Sequence, residues 1–149
     1  MAQPEEPLCW ESVADRLRPA RNYWLATSGA DGAPHTVSVW GALVGHDLYT
    51  YGERNTVKAR NLARDPRAVV HLESAEDVVI VHGRLEDLGR PQDAGPVLRA
   101  FAAKYHEPGD SKYLPSTDPS FDALYRLRPA RAQLWSLVDY AGSQRRWTG

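Results

Sequence analysis

The sequence is poor in residues that build covalent or metal-based scaffolds. Cys9 is the only cysteine among 149 residues, which excludes an intrachain disulfide and any thiolate cluster, and fits a reducing compartment. His35, His46, His71, His82 and His106 are scattered singly. No two have the helical or loop spacing of a metal site, so no metal is expected. There is no Gly-x-Gly-x-x-Gly, no Walker loop and no nucleophile elbow, which leaves nucleophilic hydrolysis without support. No run approaches the roughly 20 apolar residues that span a bilayer. The opening MAQPEEPLCW lacks the basic start and apolar stretch of a signal peptide, so a cytoplasmic protein with no membrane partner is expected. Charge of either sign is not in surplus either, with 18 Lys and Arg against 19 Asp and Glu. Any anion site must therefore be local, and no nucleic-acid partner is expected.

What is present fits one domain over residues 1–149, since a chain of this size with 42% hydrophobic residues can bury its own core. Residues 1–9 read as a flexible N-terminus. Helical spacing of Val13, Ala14 and Leu17 predicts a helix over residues 10–18, with Ser12 as a candidate cap and Pro19 as its stop. A hairpin follows, residues 23–27 and 35–40 around the turn residues Gly29-Ala30-Asp31-Gly32. Further strands are predicted at 47–51, 67–73 and 78–85, and a helix at 55–63, stopped by Asp65-Pro66. Pro91 can open a second helix reaching residue 105. Residues 106–120, rich in Pro, Ser, Thr and Asp, read as a long loop, the kind that is often functional. Two last strands, 123–127 and 130–138, meet at Arg128-Pro129, and residues 142–149 form a C-terminal tail. Neighbouring hairpins without a repeated βαβ unit favour an antiparallel barrel over a doubly wound sheet.

Two segments can carry chemistry. On a helix, Arg54, Lys58 and Asn61 stand at i, i+4 and i+7 beside its N-terminus, where two cations, the Thr56 hydroxyl and free N–H groups suit a phosphate. A solvated basic helix has the same spacing. On the strand from Pro34, alternation puts His35, Val37 and Val39 on one face and Thr36, Ser38 and Trp40 on the other, and either face can be core. Small hydroxyl residues beside Trp40 suit a flat, polar-edged ring; an ordinary barrel strand reads the same way. Burial in a core or interface explains most of the five tryptophans.

Taken in order, Tyr23-Trp24-Leu25-Ala26-Thr27, Asp31-Gly32-x-Pro34-His35, Val39-Trp40-Gly41 and the run Lys58-Ala59-Arg60-Asn61-Leu62-Ala63-Arg64-Asp65-Pro66-Arg67 resemble the pyridoxamine 5′-phosphate oxidase-like family. Within it they resemble the actinobacterial flavin- and deazaflavin-dependent oxidoreductases, over residues 10–147. The resemblance implies a mainly β fold, a six-stranded antiparallel split β-barrel of the FMN-binding type. It implies a homodimer with the cofactor in a groove at the subunit interface. By that analogy His35, Thr36, Val37, Ser38, Val39 and Trp40 lie along the tricyclic ring. Tyr49, Thr50, Arg54, Lys58 and Asn61 face the phosphate-bearing tail, and Trp147, with Arg145 and Arg146, approaches the cofactor or the partner. The cofactor implied is coenzyme F-420, a deazaflavin, with FMN the alternative; Arg60 and Arg64 would suit an anionic tail. Many relatives carry proline where this chain has Ser38, so one more backbone N–H is available here.

The activity implied is hydride transfer between the reduced deazaflavin and a small conjugated acceptor, such as an enone or quinone. No catalytic residue is assigned; Tyr105, His106 and Tyr113 are proton-donor candidates by location alone. The rival readings are an FMN-dependent oxidase-like enzyme and a non-catalytic protein that binds flavin, deazaflavin or haem. Nucleic-acid binding through residues 54–67 lacks interleaved aromatics and a matching fold.

Overall fold

Val13, Ala14 and Leu17 are fully buried in the computed structural model, which describes residues 7–149. They form the inner stripe of helix α1 (Trp10–Leu17). Most of the expected flexible N-terminus lies outside the described residues. Ser12 does not cap α1: the cap position is Cys9, and the Ser12 hydroxyl lies 3.0 Å from the Cys9 sulfur.

All eight strands of the described residues join one antiparallel sheet, in the order β2-β1-β5-β6-β7-β4-β3, with β8 added to β7. The expected hairpin is β1 (Tyr23–Ser28) with β2 (Pro34–Val39). Two short strands were not anticipated. One is β3 (Gly41–Val44), which follows β2 after Trp40 alone and pairs with β4 (Asp47–Gly52). The other is β8 (Arg145–Thr148), so the C-terminal tail is a strand seated on the sheet through α4 (Tyr140–Ser143). Helix α2 (Val57–Arg64) leads to β5 (Arg67–His71) and the long β6 (Asp77–Asp87). Pro91 opens only a short 3-10 turn, and α3 (Gly95–Lys104) starts four residues later.

The last two predicted strands are one, β7 (Ala123–Ser136), which pairs with β6 along its length, with β4 through its first half and with β8 through its second. Arg128-Pro129 does not break it, because proline is tolerated where a bulge spoils the ladder. His82 pairs with Arg131 and Gly83 with Pro129, leaving Ala130 as the extra residue. An added Cβ on Gly83 would lie 2.3 Å from the Arg128 carbonyl oxygen, so only glycine lets the two backbones approach this closely.

The strands curl into a split barrel whose interior is packed by Leu25, Val70, Val79, Val81 and Leu127, with α1 closing one side. A second cluster, Tyr49, Tyr51, Phe101, Tyr105, Leu114 and Leu124, fastens α3 and the following loop to β3 and β4. The 106–120 segment is thus anchored, by buried Leu114 and Asp110. The split falls between β2 and β3, the two ends of the sheet order, whose outer edges have no strand partner among the described residues.

Candidate functional site

The barrel interior keeps a void of only about 10 Å³ between Tyr23, Leu25, Val39, Thr50 and Leu85, room for one water at most. Any ring-sized ligand must therefore bind outside it. Strand β2 is the accessible element. His35, Val37 and Val39 face the core and Thr36 and Ser38 are exposed, which settles the alternation left open by the sequence. The inward row holds one unusual group: His35 Nδ1 is buried without a hydrogen-bond partner.

Beyond β2, Trp40 turns into β3 and is tightly held. Its ring stacks on Tyr105 at 4.1 Å with planes 4° apart, and the Arg21 guanidinium lies 5.1 Å from its centroid. Arg21 is fixed by the buried Asp110 carboxylate at 2.7 Å, whose pKa it lowers. The Tyr105 hydroxyl accepts from Gly41 N–H (2.9 Å) and donates to the Arg21 carbonyl (2.7 Å). Lys104 Nζ donates to Tyr23 Oη (2.8 Å) and the Gly41 carbonyl (2.6 Å). Burial, aided by the charge of Arg18, lowers its pKa to about 8. Thr50 donates to the Trp40 carbonyl at 2.8 Å, and Tyr49 is buried on the opposite face of β4. Of the proton-donor candidates, Tyr105 is committed and the His106 ring bonds the Ala103 carbonyl. Tyr113 is half exposed, its ring edge-on to Trp40 at 6.2 Å.

These buried groups set the alkaline behaviour. Burial raises the phenol pKa of Tyr23, Tyr51, Tyr105 and Tyr125, that of Tyr105 to about 12. Unfolded tyrosine ionises at about pH 10, so their contribution is complete below that pH and is lost as pH rises through the folded value. Lys58 and Lys104 act oppositely. With folded pKa values lowered by burial, they add stability as pH climbs toward about 10.4, the unfolded lysine value. The denaturant midpoint is therefore expected to rise slightly from about pH 8 to 10 and then fall steeply, with tyrosinate absorbance appearing as the chain unfolds. A flat midpoint above about pH 10 would show these phenols to be solvated.

The α2 end differs from its sequence reading. Thr56 is the N-cap, its hydroxyl accepting from Ala59 N–H and donating to the Glu53 carbonyl. Arg54 thus precedes the helix rather than sharing a helical face with Lys58. Its guanidinium pairs with both oxygens of Asp87 at 2.7 and 3.0 Å, and its N–H donates to Asp122. Asn61 points inward: it donates to Thr27 Oγ1 at 3.1 Å and accepts from Arg64, locking α2 to β1. Trp147 lies on β8 against Trp10, at 5.1 Å, well separated in the sheet order from β2.

Lys58 remains. Its stem lies over Gly52, where a Cβ would meet Lys58 Cε at 2.6 Å, so glycine makes the cradle for this side chain. Burial lowers the ammonium's pKa. Its hydrogen bond to the Tyr51 carbonyl is a long one, 3.5 Å, and among the described residues no carboxylate lies within 4.0 Å. Glu53 acts on it only from a distance, so this partly desolvated ammonium, with three donors and one marginal acceptor, has room for a contacting anion. The Val57 and Lys58 N–H groups, which no helical carbonyl can reach, open the same end of α2, while Ala59 N–H is taken by Thr56. Gly52, the last residue of β4, was not anticipated as part of the site, although it directly follows the strand predicted at 47–51.

A groove of about 1030 Å³ crosses the outer face of the sheet, lined by β1, β5, β6, β7 and β8. None of the twelve residues expected at the cofactor lines it, but Pro34 at the start of β2 does. Register carries one row continuously across this face, Thr36–Ala26–Val69–His82–Arg131. The exposed face of β2 therefore opens onto the groove.

Known proteins share this architecture. Conserved hypothetical protein Rv2991 from Mycobacterium tuberculosis superposes with a TM-score of 0.70 at 26% identity, over 91% of this chain and 90% of its own. A heme binding protein from Mycobacterium smegmatis gives 0.71 at 25% identity, over 97% of this chain and 60% of its own. The fold also matches an F-420 reductase, with a TM-score of 0.64 at 24% identity, over 85% of this chain and 98% of that one. No curated protein matches the chain. The family model for pyridoxamine 5′-phosphate oxidase matches residues 10–136. With its split barrel and unpaired β2 edge, the chain belongs to the pyridoxamine 5′-phosphate oxidase family, a fold family associated with flavin-type oxidoreductases.

Proposed function

We propose that the protein is a cytoplasmic, homodimeric flavin-type oxidoreductase that binds FMN, with coenzyme F-420 the competing occupant of the same site. The observation that carries this reading is the Lys58 ammonium, cradled over Gly52 at the N-terminus of α2 with no carboxylate in contact and only the more distant charge of Glu53 to offset it. Lys58 and the first N–H groups of α2 bind the phosphate. The unpaired edge of β2 offers N–H and C=O groups to the polar rim of the ring, and exposed Thr36 and Ser38 leave space for it. FMN supplies reversible hydride transfer when bound. The chain's own part is positional. The Trp40–Tyr105–Arg21 stack fixes the end of β2, and the Tyr113 hydroxyl or solvent delivers a proton to a small conjugated acceptor.

A second reading, a haem-binding protein without turnover, is favoured by the 25% identity with the heme binding protein. Parallel titrations of the purified full chain with FMN, coenzyme F-420 and hemin separate the readings. Saturable fluorescence quenching of FMN at one per chain, tighter than that of the deazaflavin, is expected. Tighter quenching of the deazaflavin would reassign the cofactor. A Soret shift with hemin and no quenching of either flavin would overturn the proposal.

A further inference from the structure

The outer-face groove contains an electrostatic arrangement that the cofactor site does not explain. Arg67 on β5 is registered directly opposite Arg84 on β6, and Arg84 directly opposite Arg128 on β7. Directly paired residues project from the same face of a sheet, so three guanidinium side chains stand in a row across three neighbouring strands. Like charges in this relation are destabilising, and a sheet ordinarily avoids them.

The two outer arginines are compensated. Arg67 is clamped by Asp65 at 2.7 Å, which holds that carboxyl's pKa down to about 2. Arg128 contacts Glu86 at 2.8 Å, a carboxylate it shares with Arg126 at 2.9 Å, leaving two cations on one anion. Arg84, the middle member, has no ion pair among the described residues. Arg131 adds a further cation beside it, 3.4 Å from His82, whose pKa is lowered first by burial and then by Arg131. His82 is therefore neutral at neutral pH and adds no charge. Asp65 and Glu86 are the carboxylates paired with this row, and both are already engaged. The floor between the arginines is small-residue backbone, Ala68, Gly83 and Ala130, with the bulge at Gly83 bringing β6 and β7 together beneath it.

We propose that this groove binds a small polyanion, a molecule with at least two carboxylate or phosphate groups, with Arg84 as its central contact and Arg67 and Arg128 on either side. Strand spacing sets the size of the ligand. Three neighbouring strands place the outer arginines roughly 10 Å apart, which a triphosphate or a tricarboxylate can bridge. Guanidinium forks suit either anion, since both offer paired oxygens. The site uses none of the phosphate-holding groups of α2, so it stands or falls separately from the cofactor reading.

The test is calorimetric titration of the full chain, without flavin and at low ionic strength, with tripolyphosphate and separately with citrate. Saturable binding of at least one, at one per chain, is expected, and which of the two binds more tightly identifies the anion. Arg84→Gln, an exposed substitution, is expected to weaken it at least tenfold, and Arg128→Gln to weaken it less. Lys58→Met is expected to leave it within twofold. Absence of saturable binding by both probes would overturn the proposal. Unchanged affinity in Arg84→Gln would overturn it too.

Discussion

Replacing Lys58 with methionine is expected to lower FMN affinity about 10- to 150-fold while leaving the unfolding midpoint nearly unchanged. Methionine keeps most of the stem over Gly52, so the cradle stays filled and the charge alone is removed. A charge-assisted hydrogen bond contributes roughly 1.5–3 kcal/mol, which gives the range of the loss. Stability should hardly move, because in the free protein the ammonium has only the 3.5 Å contact with the Tyr51 carbonyl and its burial opposes its charge. Arg54→Gln is expected to do less to affinity. That guanidinium is already bidentate to Asp87, and turning to a phosphate would forfeit the pair. Equal losses in the two variants would mean that Arg54 leaves Asp87 on binding, and unchanged affinity in Lys58→Met would move the phosphate away from α2.

Gly83→Ala is expected to cost roughly 3 kcal/mol or more, because an added Cβ must displace backbone rather than a flexible side chain. That Cβ would sit 2.3 Å from the Arg128 carbonyl oxygen and 3.0 Å from Pro129 Cα, inside the longest strand pair of the barrel. For a chain of this length the thermal midpoint should fall by roughly 6–12 °C. Gly95→Ala is the control. Its Cβ would approach only the Arg99 guanidinium, at 3.3 Å, and alanine is the better helix former, so its midpoint should hold or rise. A loss below about 1 kcal/mol in Gly83→Ala would show that β6 and β7 separate easily at the bulge, and the groove above it would not be rigid.

The hairpin, α1 and α2 were legible because their signals are local: period-two alternation with a glycine turn, and apolar positions at helical spacing. Strand β3 was not. Its four residues follow β2 after a single Trp, too short for alternation to register, and only pairing with β4 defines them. Arg128-Pro129 read as a break because proline usually ends a strand; whether it does depends on a glycine 46 positions earlier in sequence, at 83, reached only through pairing register. At the site, the Lys58 motif was visible, but its meaning was not. Helical spacing placed Arg54 and Asn61 beside it, whereas the Thr56 cap starts the helix after Arg54, and Asn61 turns inward to Thr27. The want of a contacting carboxylate at Lys58 is a matter of tertiary structure. So is the arginine row, whose members lie on three strands and meet only once the bulge has set their register.

The most direct measurement is a crystal structure of the full chain soaked or grown with FMN. Phosphate density within hydrogen-bond distance of Lys58 Nζ and the first N–H groups of α2, with the ring along the outer edge of β2, is the expected result. Phosphate density among Arg67, Arg84 and Arg128, with Lys58 still bonded only to the Tyr51 carbonyl, would contradict the assignment of the cofactor site.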